Sequence, residues 1–234
     1  MIRKPVCLFP AVAAFAASGL IVVRAATPLP AWYGEPNTTR QGYEFTSASL
    51  TPPANILENA YGTPMITVNL GGFSDGWQDP ANPIELSGVV ANGAWDLGTA
   101  GAVTVQCQVG ATPPAQGAYF HIDFQVYVVA YRGITSLPSF ESPGFTALNL
   151  SLAQTTVAQD PQFPGATWEG RTWAGSFDQV TTNTIMFAIR APGNNTAVID
   201  TYEVFTRATL IPEPSAIFML TLPVIGWSLR RRRS

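Results

Sequence analysis

Chemistry in this chain would have to centre on His121, the one histidine of the sequence. It stands two residues before Asp123, and in a strand that spacing projects both side chains from the same face. An imidazole beside a carboxylate can work as a general base with its orienter, or give two ligands to a metal ion. A zinc-type site needs three or four ligands, and there is no second histidine to help complete one. A surface or cross-strand ion pair is therefore the plainer reading of His121 and Asp123.

A second constellation is Asp75-Gly76-Trp77-Gln78-Asp79, in which two carboxylates bracket an indole. Read as a loop, this composition suits a ring stacked on a sugar face, or a Ca²⁺ ion held by carboxylates and loop carbonyls. Ordinary packing of Trp77 is the alternative. Glu44, Glu58, Asp96, Asp123, Glu169 and Asp178 could supply the paired carboxylates of a glycosidase, but spacing along a β-chain does not mark out a pair. Nucleophilic catalysis by serine would have only His121 as its base.

The elements that must position these residues read as strands throughout. Segments rich in Val, Ile, Phe, Tyr and Thr alternate with period two between clusters of Gly, Pro, Asn and Asp. Strands are expected at 41–50, 65–70, 84–90, 95–97, 103–109, 119–131, 145–152, 184–190 and 197–209. The stretch 168–180, interrupted by Gly170 and Gly175, reads as two short strands or one bulged strand. Residues 51–63 read as a loop with room for one helical turn near Asn55–Asn59. In 119–131 the even members from Phe120 to Ala130 are apolar and the odd members mixed, the pattern of a half-buried antiparallel strand. Cys107 falls on the apolar phase of 103–109 and reads as a core residue. The fold expected is all-β: an antiparallel jelly-roll-like β-sandwich of about nine or ten strands, with a barrel as the other way of closing them.

The flanks have a different character. Arg3 and Lys4 precede an apolar run from Val6 to Val23, and Val23-Arg24-Ala25 offers a cleavage site after Ala25. Residues 1–25 thus read as a secretory signal peptide, outside the fold. A β-sandwich domain is expected over 26–210, followed by a distinct region at 211–234. Between residues 26 and 212 there are five arginines, no lysine and fourteen acids, a net charge of −9. Such a body repels polyanions, so nucleic acid is not an expected partner. With Cys7 in the leader, Cys107 has no partner for an intrachain disulfide.

The C-terminal region holds Pro212-Glu213-Pro214, an uncharged apolar stretch from Ser215 to Leu229, and Arg230, Arg231, Arg232 and Arg233. Fifteen residues of helix span about 22 Å, short of a hydrocarbon core of roughly 30 Å. The apolar stretch is therefore a marginal transmembrane helix, and its arginines keep that end cytoplasmic while the body lies outside. These three features in this order resemble the PEP-CTERM sorting signal of exported proteins in biofilm-forming, exopolysaccharide-producing Gram-negative bacteria. The resemblance implies passage through the secretion translocon and transient insertion in the inner membrane. Cleavage near Pro-Glu-Pro by an exosortase would follow, then release or attachment at the cell surface. Pro223 departs from the smoother apolar segments of that family. The body, with Trp95-Asp96-Leu97-Gly98 and Ala197 to Val204, more loosely resembles galactose-binding-like sandwich modules, in which the last strand returns beside the first.

The function expected is that of an exported cell-surface or extracellular-matrix protein without catalytic activity. Its role would be structural, adhesive or glycan-binding, with extracellular polysaccharide as a partner and no cofactor. The alternative is a carbohydrate-active hydrolase working on envelope or matrix polysaccharide.

Overall fold

A computed structural model describes residues 27–79, 93–133, 135–142, 144–160 and 163–212. The expected leader with Ala25, the expected strand 84–90 and the expected sorting region from Glu213 onward, including Pro214 and Arg230–Arg233, lie outside the described residues. Among the described residues the chain forms twelve strands and no helix. They are β1 (Thr38–Glu44), β2 (Ile56–Glu58), β3 (Met65–Asn69), β4 (Gly76–Gln78), β5 (Ala94–Asp96), β6 (Ala102–Gln108), β7 (Ala118–Arg132), β8 (Ser139–Glu141), β9 (Leu148–Gln159), β10 (Thr167–Val180), β11 (Thr184–Arg190) and β12 (Val198–Pro212).

Two antiparallel sheets enclose one core, a β-sandwich arrangement. The larger has the order β2-β1-β12-β7-β10-β9, with β5 joined to the start of β12 and β4 joined to β5. The smaller has the order β3-β6-β11-β8. The last strand lies between the first strand and β7, pairing Gln41 with Val204 and Val204 with Val126. Residues 211 and 212 continue this pairing, Ile211 opposite Tyr119 and Pro212 opposite Ala118. The described sheet therefore runs two residues beyond position 210.

Alternation explains the core. The even residues of β7 from Phe120 to Ala130 are all buried, as the period-two reading requires. From the smaller sheet Val103, Val105 and Cys107 of β6 meet them, together with Ile185, Phe187 and Ile189 of β11. Phe124 sits at the centre of an aromatic stack, its ring 4.5 Å from Phe177, 5.3 Å from Phe140 and 5.5 Å from Phe187. Stacked and tilted contacts of this kind add to the area that the rings bury.

The outer face of the larger sheet is covered in part by the lead-in, residues 27–37. Gln125 donates its side-chain N–H to the Pro28 carbonyl, and Thr27 Oγ1 donates to Glu203 Oε1 at 2.7 Å. Tyr33 stands edge-on to Phe205, and the Arg40 guanidinium lies 5.9 Å and 5.3 Å from those two rings. This strap accounts for the burial of Gln125, Glu203 and Phe205 on a face that a plain two-layer packing would leave wet.

Several elements differ from the expectation. The first strand is Thr38–Glu44 rather than 41–50, because the chain leaves β12 after Glu44, which pairs with Thr201. The helical turn near Asn55–Asn59 is instead β2, aligned with Arg40–Gly42 and fixed by Asn55, whose side-chain oxygen accepts from Glu44 N at 2.6 Å. The segment around Trp77 is a strand, β4, drawn into register by β5. Residues 167–180 form one strand with a register shift between Phe177 and Val180. The seventh expected strand begins at Leu148 and extends to Gln159, following β10 along its length.

Candidate functional site

His121 and Asp123 do share a face of β7, the outer one, with His121 Nε2 3.5 Å from Asp123 Oδ1. The sheet adds what spacing could not show. Asp178 approaches His121 Nδ1 at 3.3 Å from the end of β10. Arg207 stands opposite Asp123 in the β7–β12 register and donates to Asp123 Oδ2 through Nε at 3.0 Å and Nη2 at 2.7 Å. The same guanidinium binds Glu35 and lies 5.6 Å from the ring of Trp32, both in the strap. The hydrogen bond to Asp123 is the first cause, and that to Glu35 a further one, that raises the Arg207 pKa. His121 is thus held between two carboxylates on a half-exposed surface, and the arginine beside it is shared between Asp123 and the strap. The groups satisfy one another, so the cluster is built to fasten the lead-in to the sheet. Among the described residues no three His, Cys, Asp or Glu side chains converge to hold a metal ion.

The Trp77 constellation opens up differently from the sequence reading. Trp77 pairs with Trp95 across β4 and β5 and packs its ring against the main core. Gly93, at φ 102°, lies so close that a Cβ there would fall 2.9 Å from the Trp77 ring. The indole nitrogens of Trp77 and Trp95 are enclosed without a partner among the described residues. Asp75 is anchored through its backbone, its N–H donating to Asp96 Oδ2 at 3.1 Å. The ring presented to solvent at this end is Phe73, 93% exposed at φ 56°, a conformation seldom adopted by a bulky residue.

Asp96 is the organising residue of that end. Buried at the close of β5, it accepts from Gly98 N at 2.9 Å and from Asp75 N at 3.1 Å, and also from Thr196 Oγ1. Three segments far apart in sequence meet on one carboxylate. The turn that follows needs glycine at position 98, where φ is 68° and a Cβ would stand 2.6 Å from the Gly72 carbonyl oxygen. Removing the carboxylate strands the Asp75 N–H and the Thr196 hydroxyl, while Gly98 N–H keeps Thr196 Oγ1 at 3.1 Å. Asp96→Ala is expected to cost roughly 3 kcal/mol in urea denaturation, with Asp96→Asn losing less. A loss below about 0.5 kcal/mol would be that of an ordinary surface residue.

Contrary to a reading of the sequence as having no Gly-x-Ser-x-Gly turn, Gly72-Phe73-Ser74-Asp75-Gly76 matches that pattern. The motif works as a nucleophile elbow between a strand and a helix. Here it leads into β4, and Ser74 Oγ donates to the Asp96 carbonyl at 2.5 Å and accepts from Gly76 N at 3.0 Å. His121 lies opposite Thr209, whereas Asp96 lies opposite Val198 on the same strand. Eleven residues of strand separate those levels, about 36 Å, so Ser74 has no imidazole within reach.

Near the exit of β12 is a cleft of about 480 Å³ between Tyr61, the segment 109–115, Phe120 and Leu210. Tyr61 donates from its hydroxyl to Asn37 Oδ1 at 2.9 Å on its rim. No family model, curated protein or solved structure was found to match this chain.

Proposed function

We propose that this is an exported β-sandwich protein with a structural, adhesive or glycan-binding role at the cell surface or in the extracellular matrix. In this reading a signal peptide cleaved after Ala25 exports it, and an exosortase sorts it through the region from Pro212 to Arg233. The observation that carries the proposal is the order Pro212-Glu213-Pro214, apolar stretch, four arginines, which begins at the last residue of β12. Pairing in β12 is described as far as Pro212, so cleavage beyond that residue leaves the described sheet whole. The sandwich is read as jelly-roll-like, which its first-beside-last pairing favours. The mutual pairing of His121, Asp123, Asp178 and Arg207 on an open face favours a binding or structural role over a hydrolase. For contact with a glycan the exposed ring is Phe73 rather than Trp77.

The test is to express the full chain in a host with its exosortase and in the same host lacking it. With the enzyme, the body is expected at the cell surface or in the matrix. Without it, full-length chain is expected to accumulate in the inner membrane. Equal distribution in the two hosts would overturn the proposal.

A further inference from the structure

We propose that Arg171 and Arg132 form a binding site for a carboxylate-bearing sugar, a hexuronate unit, on the inner face of the larger sheet beside β8. The smaller sheet stops short there. Phe140 of β8 stacks on Phe124 of β7 and Trp173 of β10, and no further strand of the smaller sheet follows among the described residues. The inner face of β9 is left open at Leu152, Gln154 and Thr156, all three exposed. In the register they lie beside Trp173, Arg171 and Glu169 of β10. Glu169 in turn pairs with Ala130 of β7, two residues before Arg132.

Arg171 marks the site. Arg40, Arg132, Arg190 and Arg207 each hold a carboxylate within 4.0 Å, whereas Arg171 holds none among the described residues. It donates from Nη1 to the Pro138 carbonyl, and from Nε and Nη2 to the Gln154 amide oxygen at 3.1 Å each. Its guanidinium lies 4.9 Å from the Trp173 ring. Burial lowers its pKa, against a smaller upward pull from Glu169. A half-buried cation is thus held by neutral oxygens, and an exposed amide occupies the edge that a carboxylate would bind through two parallel bonds. The charged side chains on the inner face of β7, β9 and β10 are Arg132, Arg171 and Glu169. They sum to +1 on a body that carries −9.

Two features favour a sugar over an acidic peptide. Glu169 Oε1 accepts from Arg132 Nη1 at 2.9 Å, but its Oε2 is enclosed without a partner. A ring hydroxyl beside the ligand carboxylate supplies the missing donor. Leu152 adds an apolar floor for the C–H face of a pyranose, next to the Thr156 hydroxyl.

The inference rests on the glycan-binding form of the proposed role. The experiment titrates the full chain in mild detergent with tri-galacturonate, its methyl ester, maltotriose and hexaglutamate, by calorimetry and tryptophan emission. Tri-galacturonate is expected to bind and shift the emission, and the two uncharged sugars to bind roughly tenfold or more weakly. Arg171→Gln is expected to weaken tri-galacturonate binding by about tenfold to a hundredfold, the scale of lost hydrogen bonds to a charge. Gln154→Glu decides between a site and a structural role. It supplies the guanidinium with a carboxylate from an exposed position, so it is expected to abolish binding while near-UV CD and the urea midpoint hold or improve. Binding untouched by Gln154→Glu, or equal for the methyl ester, would overturn the site. Hexaglutamate binding as tightly would overturn the sugar in favour of an acidic peptide. Failure of every probe to bind would also overturn the site, and would leave export and sorting standing, since those are read from where the chain accumulates with and without the exosortase.

Discussion

Phe124→Ala is expected to destabilise the protein by about 4 kcal/mol, the middle of the range for a buried phenylalanine. Its ring is 1% exposed and contacts Phe177, Phe140 and Phe187, which come from three other strands and both sheets. Truncation leaves a cavity that β-sheet backbones on either side cannot close, and it removes the stacking of three neighbours at once. Urea denaturation at neutral pH measures the loss. A decrease of about 1 kcal/mol would show that the two sheets are not packed through this stack, because a surface phenylalanine costs no more than that.

Alkali is expected to unfold the protein well before it affects ordinary domains. Burial pushes the Cys107 thiol up from 9.0 to about 12. Burial likewise raises the Tyr43 and Tyr202 hydroxyls, and raises Tyr131 to about 12 with the help of its hydrogen bond to Asp160. In each case the folded state holds its proton at a pH where the unfolded chain has released it. The stabilisation is therefore whole below the unfolded values, near 9 for the thiol and 10 for the phenols, and is lost as pH rises towards the folded values. For Cys107 alone the loss amounts to roughly 4 kcal/mol by pH 12. Unfolding free energy is expected to be flat from pH 7 to 9 and to fall steeply above it, less steeply in Cys107→Ala. Over the same range the native thiol should react with a disulfide reagent only as fast as the protein unfolds. A flat profile to pH 11, or rapid thiol modification of folded protein at pH 9, would contradict the burial of this cluster.

What could be read from the sequence was what strand periodicity carries. The inner face of β7 and the bounds of β11 follow from alternation alone, since a half-buried strand must place apolar groups at every second position. The strands β2, β4 and β8 have three residues each, too few to show a period, and their partners impose them. Exposed leucines gave β9 an apolar phase with no core beneath it, so its full length emerges only from its pairing with β10.

The candidate site divides in the same way. His121 and Asp123 are two residues apart and their common face was legible. Arg207, 84 residues from Asp123, joins them only through the register of β7 with β12. Asp178 and the strap residues Trp32 and Glu35 likewise arrive through the fold. Asp96 looked like any of six carboxylates until its donors from positions 75, 98 and 196 were in place. The glycine that follows it at position 98 was the signal available, since a buried carboxylate before a left-handed glycine marks a turn held by side-chain hydrogen bonds.

In the proposed route the sandwich is delivered by processing at both ends. Its most direct measurement is the intact mass of the mature protein recovered from an exosortase-bearing host, with peptide mapping of both termini. The expected result is a chain that begins at Ala26 and ends close to Pro212, without the apolar stretch. A mature protein that still contains Trp227 would contradict it.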